Sequence, residues 1–68
     1  MNVKYFADTD TAIIEFSTRV VNETREVSEN VYVDLEDTGN LVSMTIEHAQ
    51  RNANLPHVNV EEVAPGVG

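Results

Sequence analysis

The chain has 68 residues, no cysteine and a formal net charge of −8, with 12 acidic side chains against four basic ones. This length fits one small domain that no disulfide stabilises. The acidic balance argues against direct binding to nucleic acids and to anionic membranes, because basic patches mediate both kinds of contact.

Two alternating segments near the amino terminus predict a first β-hairpin. Val3–Ala7 and Ala12–Phe16 flank a polar loop at Asp8–Thr11. The favoured register places oppositely charged residues opposite each other and aromatic residues opposite aliphatic ones. Such cross-strand pairs stabilise a sheet by roughly 0.2–1 kcal/mol each. The predicted pairs are Val3 with Phe16, Lys4 with Glu15, Tyr5 with Ile14, Phe6 with Ile13, and Ala7 with Ala12.

The following segment predicts a third strand at residues 23–27. It is polar on both faces, which is typical of a strand at the edge of a sheet. A two-residue turn at Glu29-Asn30 would close a hairpin with the next strand. It would place Arg25 opposite Asp34 as an ion pair, but it would also place a glutamate opposite Val33. A β-bulge or a longer loop would reconcile these two pairings.

Residues 30–48 contain the strongest hairpin pattern in the chain, two alternating runs around Asp37-Thr38-Gly39-Asn40. A loop with an even number of residues places all the apolar pairs on one face, whereas a slip by one residue would turn one strand over. We therefore favour the even register, with Leu35 opposite Val42. We call the apolar side of the sheet the valine face and predict that its residues are mostly buried: Val31, Val33, Leu35, Val42, Met44 and Ile46, with Tyr5, Ile14 and Phe16.

Helix-forming residues follow at Ala49–Asn54, and Pro56 prevents the helix from continuing. Residues 57–63 alternate weakly and fit either a sixth strand or an extended arm. These elements predict an α+β, mostly β fold, with a four- or five-stranded antiparallel meander sheet and a short C-terminal helix. We place the single domain at residues 1–54, and an extended arm with a flexible tail at residues 55–68.

The chain has few residues suited to catalysis or metal binding. Asp8 and Asp10 begin a pattern similar to a calcium loop, as do Asp34 and Glu36 before Gly39, but neither pattern ends in the bidentate glutamate that calcium needs. No serine lies in a nucleophile motif, and the two histidines do not form a metal-site spacing. We therefore expect no enzyme, no catalytic residue, no metal and no cofactor. The alternative is a small-molecule or metal-binding protein that uses Asp8, Asp10, Asp34 and Glu36.

The side of the sheet opposite the valine face, here called the second face, carries apolar residues among charged ones. One interpretation is that the C-terminal helix or the arm covers them. The other is a surface for a protein partner, since exposed apolar patches rimmed by charge are usual at interaction sites. The candidate partner-binding residues are Phe6, Ile13, Tyr32, Asp34, Glu36 and Leu41.

A series of short motifs extends over most of the chain. The motifs are Tyr5, Asp10-Thr11-Ala12-Ile13-Ile14, Thr24-Arg25-Glu26, Val33-Asp34-Leu35-Glu36, Gly39, Val42–Ile46 and Glu47-His48-Ala49. Their order over residues 3–52 resembles the small bacterial domain of unknown function family 2283. The chain departs from that family's pattern by lacking a proline in the first loop and a basic helix end, and by adding a tail after Asn54. The resemblance implies no catalytic or binding residue, but it implies an antitoxin-like role beside small toxin-like proteins for some members.

The sequence thus predicts an uncharacterised acidic protein-interaction module with a basic protein partner, of which a small toxin is one class. Complementary negative charge suits that task. We also expect a weak homodimer, formed through an open sheet edge or through the apolar patch at Phe6, Ile13, Tyr32 and Leu41. Added salt should favour it, because salt screens the repulsion between two acidic copies. No segment approaches the roughly 20 apolar residues of a transmembrane helix, and no signal-peptide pattern is present, so we expect a cytoplasmic location.

Overall fold

The computed structural model describes residues 1–66 and confirms the predicted fold class, five antiparallel strands in one open sheet followed by a short helix. The last two residues of the predicted tail, 67 and 68, lie outside the described residues. No helix within residues 1–66 is long and apolar enough to cross a membrane. The elements are β1 Asn2–Phe6, β2 Thr11–Glu15, β3 Glu23–Ser28, β4 Val31–Leu35, β5 Leu41–Glu47 and α1 Ala49–Ala53.

The strand order across the sheet is β1-β2-β5-β4-β3, so only β3, β4 and β5 form a meander. The sheet is therefore not the predicted meander throughout, because β2 and β3 are not neighbours. The loop at residues 16–22 carries the chain from β2 past the ends of β5 and β4 to β3. This path spans three strand spacings, roughly 14 Å, which a loop of this length covers because each extended residue advances about 3.3 Å. The amide of Phe16 bonds to the carbonyl oxygen of Val42 at 2.8 Å and fixes the start of the path.

The first hairpin forms in a register two residues away from the predicted one. Tyr5 lies opposite Ala12 rather than opposite Ile14, its predicted partner, and the loop is residues 7–10. Asp10 closes this turn with a φ of 53°, a left-handed conformation that aspartate adopts more readily than the β-branched Thr11. Because the shift is even, each residue keeps its predicted face.

β3 is an edge strand, as its polarity predicted, and all of its residues are exposed. The two-residue turn at Glu29-Asn30 is also confirmed, and a β-bulge near the end of β3 adjusts the register. The bulge places Thr24, rather than Arg25, opposite Asp34. The predicted pair of Arg25 with Asp34 is therefore wrong, and Arg25 instead binds Glu23 on its own strand, with Nε 2.8 Å from Oε2.

The even register is confirmed over most of the central hairpin. Toward the turn, a shift after Asp34 places Leu35 opposite Leu41. The predicted pairing of Leu35 with Val42 is wrong, because an extra residue in β5 shifts the register before the turn, and the loop has five residues, 36–40, rather than an even number. The confirmed pairs are Val31 with Ile46, Tyr32 with Thr45, Val33 with Met44, and Asp34 with Ser43.

The helix packs on the valine face. Ala49 and Leu55 are buried in one cluster with Ala12 and Ile46. Asn54, with a φ of 54°, ends the helix in the left-handed conformation that often terminates helices, and the next residue, Leu55, is buried against the sheet. The packed region therefore extends to Leu55, beyond residue 54.

The predicted core is confirmed in part. Val42 and Ile46 are buried, and most of the other predicted members are half-buried. Phe16 is 39% exposed, so its predicted burial is wrong, because it lies past the end of β2 in the crossing loop. Ala12 and Ala49 were not predicted, yet both have no exposed surface, and their small side chains bring the helix close to the sheet.

Candidate interaction surface

The second face is not covered by the helix, because α1 packs on the valine face. Residues 56–66 contain no helix or strand, so the predicted sixth strand does not form, and each of these residues is exposed. The interpretation that the helix covers the second face is therefore wrong. Phe6 is 45% exposed, and Ile13 and Tyr32 are half-buried among their sheet neighbours.

A row of five side chains crosses the middle of the second face. Cross-strand pairing places one residue from each strand side by side, and neighbouring strands lie about 4.8 Å apart. Ile13 and Tyr32 occupy the interior of the row, and charged residues occupy both edges of the sheet. From β1 to β3, the row is Lys4, Ile13, Thr45, Tyr32 and Glu26.

The neighbouring row is held by side-chain hydrogen bonds. Asp34 lies between Thr24 and Ser43 and accepts a hydrogen bond of 2.6 Å from each hydroxyl, one on each carboxylate oxygen. Glu15 lies in the same row, opposite Ser43, and its Oε1 is 3.2 Å from Nζ of Lys4 in the first row. Lys4 also holds the pKa of the Glu15 carboxyl below its usual 4.5. Asp34 therefore has a fixed orientation on this face.

The negative charge of neighbouring carboxylates acts on the Tyr32 hydroxyl. The charge of Glu47 is the main cause that raises the pKa of Tyr32 above its usual 10.0, and partial burial and the charge of Glu26 act in the same direction. Tyr32 therefore lies in a region of negative potential. The second face has a net charge of −3, from one lysine and four carboxylates, which are Lys4, Glu15, Glu26, Asp34 and Glu47.

Leu41, a candidate from the sequence, is not part of the second face. The register shift places it opposite Leu35, and cross-strand partners share a face. Leu35 belongs to the valine face, since it follows Val33 by two residues in β4. Leu41 therefore lies on the valine side of the sheet, where it is 37% exposed.

Glu36 lies in the loop after β4 and joins two loops. Its carboxylate accepts hydrogen bonds from Thr38 and Asn40 in its own loop, and from Arg19 Nη1 in the crossing loop at 2.9 Å. The hydrogen bond from Thr38 is the main cause that lowers the pKa of Glu36 below its usual 4.5. Its side chain is only 13% exposed, so its contacts are structural ones at the end of the sheet.

The structure does not bring together the four acidic residues of the metal-binding alternative. Asp8 and Asp10 lie in the turn after β1, whereas Asp34 and Glu36 lie toward the opposite end of the sheet. Asp10 and the row of Asp34 are separated along the strands by roughly 16 Å. Within residues 1–66, no three His, Cys, Asp or Glu side chains are grouped closely enough to hold a metal ion.

Several residues of the second face were not among the predicted partner-binding residues. Glu26 and Glu47 flank Tyr32, and Thr24 and Ser43 hold Asp34, yet none of these four belongs to a recognisable site motif. The signal that finds them is the strand register, since each residue is a direct or diagonal cross-strand neighbour of a predicted one.

The model of a family described as Protein of unknown function (DUF2283) matches residues 2–50. The chain belongs to this family. No curated protein and no solved structure matches the chain. The DUF2283 match includes all five strands, and therefore the whole second face, whereas Leu55 and the exposed residues after it lie outside the match.

Proposed function

We propose that this DUF2283 protein is a protein-interaction module whose second face binds a basic protein. The observation that carries the proposal is the composition of that face, with Ile13 and Tyr32 in its interior and a net charge of −3 around them. An apolar patch rimmed by charge is characteristic of surfaces that bind other proteins.

The apolar and acidic parts of the face have different tasks. Ile13, Phe6 and the Tyr32 ring supply area that a partner removes from water, and tyrosine is enriched among the residues that dominate binding energy. The carboxylates attract a basic partner, increase the association rate and disfavour acidic partners. The surface on the partner that fits this face is therefore an apolar patch flanked by lysine or arginine side chains.

The face is already ordered in the free chain. Four pairs of antiparallel strands fix its backbone, and the hydroxyls of Thr24 and Ser43 fix the Asp34 carboxylate. Binding to a preformed surface avoids the ordering cost of about 0.5–1.5 kcal/mol for each side chain that would otherwise be immobilised.

A small basic toxin is the partner class that charge and family resemblance both favour. The antitoxin-like role that the resemblance implies requires a surface that neutralises a basic protein. An acidic face with an apolar centre supplies the matching sign of charge.

The proposal is tested by capture from a lysate of the native host on three immobilised proteins. These are the unmodified chain, a Glu26→Gln/Glu47→Gln variant on the second face, and a Glu61→Gln/Glu62→Gln variant among the exposed residues after α1. Both variants lose two negative charges, so the pair separates a local effect from an effect of net charge. The affinity of each captured protein for each of the three proteins is then measured by calorimetry at low and high salt.

We expect a basic protein that binds the unmodified chain and the Glu61→Gln/Glu62→Gln variant, and that binds the second-face variant more weakly. Its affinity should fall as salt rises, because screening weakens the attraction between opposite charges. The proposal fails if no protein is captured, or if the bound proteins are acidic. It also fails if both variants lose affinity equally.

Thermal unfolding in millimolar calcium, zinc or manganese separates this function from the small-molecule or metal-binding alternative. A metal that binds only the folded chain raises Tm. We expect no rise, because the Asp34 and Glu36 carboxylates already accept hydrogen bonds from neighbouring side chains. A rise that disappears in Asp34→Asn would support the alternative.

A further inference from the structure

The two faces of the sheet differ in charge. On the valine face, β3 contributes Glu23 and Arg25, which form an ion pair with Nε 2.8 Å from Oε2 and cancel each other's charge. No other charged residue is paired into that face in the registers of the described strands. The valine face is therefore neutral, whereas the second face carries a net charge of −3.

The valine face is only partly covered. The cluster around Ala49 and Leu55 includes Tyr5, Ile14 and Met44. Within residues 1–66, this cluster does not include three half-buried residues of β4, which we call the valine strip: Val31, Val33 and Leu35.

The buried core is small for a domain that folds alone. Five hydrophobic residues within residues 1–66 are buried, two of them alanines, and no large side chain is fully buried. A domain of about 60 residues is marginally stable even with an ordinary core. Further burial of the valine strip would therefore stabilise this fold.

We propose that a second copy of the chain covers the valine strip, so that two sheets pack through their valine faces. A two-fold axis brings the same apolar strip from each copy together, as isologous dimers do. The neutral face allows this contact, while the acidic second face would repel a copy of itself. Both second faces then point outward, and each remains free for a basic partner.

The strip is small, and this sets the strength of the dimer. Stable interfaces bury about 800 Å² on each partner, an area larger than three side chains supply. The overall charge of −8 on each copy also opposes association. We therefore expect a weak dimer that strengthens with salt, as the Debye length falls from about 10 Å at 0.1 M to about 3 Å at 1 M.

Sedimentation equilibrium at these two salt concentrations tests the dimer, with Val33→Thr compared with Ile13→Thr. Each variant replaces one half-buried aliphatic residue of the sheet by threonine, on opposite faces. Val33→Thr should weaken the dimer by about tenfold, since both copies lose a buried methyl group. Ile13→Thr should leave the dimer unchanged.

A second pair of variants keeps the test decisive if Val33→Thr does not fold. Arg25→Glu and Lys4→Glu change the net charge by the same amount, on the valine face and on the second face respectively. Arg25→Glu places like charges on the neutral face and should weaken the dimer by about tenfold at low salt. Lys4→Glu should weaken it much less.

Three results would overturn the proposal. One is a chain that remains monomeric at millimolar concentration in both salts. Another is a dimer that Ile13→Thr weakens and Val33→Thr does not. The third is equal weakening by Arg25→Glu and Lys4→Glu. None of these depends on whether a basic protein binds the second face, so this proposal and the proposed function can fail separately.

Discussion

The Tyr5 hydroxyl donates a hydrogen bond of 2.7 Å to Asp10 Oδ1, and this pair joins the first hairpin to the helix. The same Asp10 oxygen accepts from the amide of Gln50 at 3.2 Å, and the Asp10 carbonyl accepts from the amide of Ala49 at 2.8 Å. The hydrogen bond to Asp10 is also the main cause that raises the pKa of Tyr5 above 10.0. Asp10 therefore has a structural role, although its position in an acidic loop had made it a candidate ligand.

Replacement of Asp10 by alanine should destabilise the fold by about 1–3 kcal/mol, because it removes the Oδ1 acceptor of the Tyr5 and Gln50 hydrogen bonds and leaves an alanine with a φ of 53°. Urea unfolding measures the change. Asp8→Ala, in the same turn, is the matched control and should change stability by less than about 0.5 kcal/mol. Equal losses in the two variants would contradict the role assigned to Asp10.

Leu55 should contribute strongly to stability, although it lies outside the sheet and after the helix. It is 6% exposed, so Leu55→Ala should cost about 2–5 kcal/mol through lost burial and a residual cavity. Val60 is 77% exposed, and Val60→Ala should be nearly neutral. Thermal unfolding compares the two. A Leu55→Ala protein that is as stable as the Val60→Ala protein would show that the helix is not docked on the valine face.

The strands and the membership of each face were largely predictable from the sequence. Alternation has a period of two, so a register error of two residues in the first hairpin left Phe6 and Ile13 on the correct side. The fold class follows from the same alternation. Leu41 was placed on the wrong side because a bulge breaks the alternation locally, and no residue type marks the bulge.

The position of the helix was not predictable in the same way. A helix of five residues has too little periodicity to show which of its sides is apolar, and its buried residue is an alanine. Leu55 completes the contact only after Asn54 has turned the chain. The charges around Tyr32 were also hidden, because they come from strands that are distant in the sequence.

Acid should weaken the fold through Glu36. Its hydrogen bonds hold its pKa below the usual 4.5, so the unfolded chain binds this proton more readily than the folded chain. The stability from this group is present above about pH 4.5 and is lost as pH falls below that value. In urea unfolding at neutral and acidic pH, Glu36→Gln should lose less stability on acidification than the unmodified chain. Glu62→Gln, in the exposed segment after α1, should behave as the unmodified chain does.

The potential on the second face can be read from Tyr32 itself. In a Tyr5→Phe background Tyr32 is the only tyrosine, and an ultraviolet pH titration should give a pKa above 10.0. Because the charge of Glu47 is the main cause, Glu47→Gln should lower the pKa of Tyr32 toward 10.0, and Glu62→Gln should not. An equal pKa of Tyr32 in all three proteins would contradict a negative potential on the second face.

The most direct test of the central claim is to map the contact with a captured basic protein by amide chemical shifts on the labelled chain. We expect chemical-shift changes centred on Ile13, Tyr32 and Glu26 that disappear at high salt, while the amide resonance of Val33 does not move. Shifts centred on the valine strip, or confined to the exposed segment at residues 56–66, would contradict the claim that the second face is the binding surface.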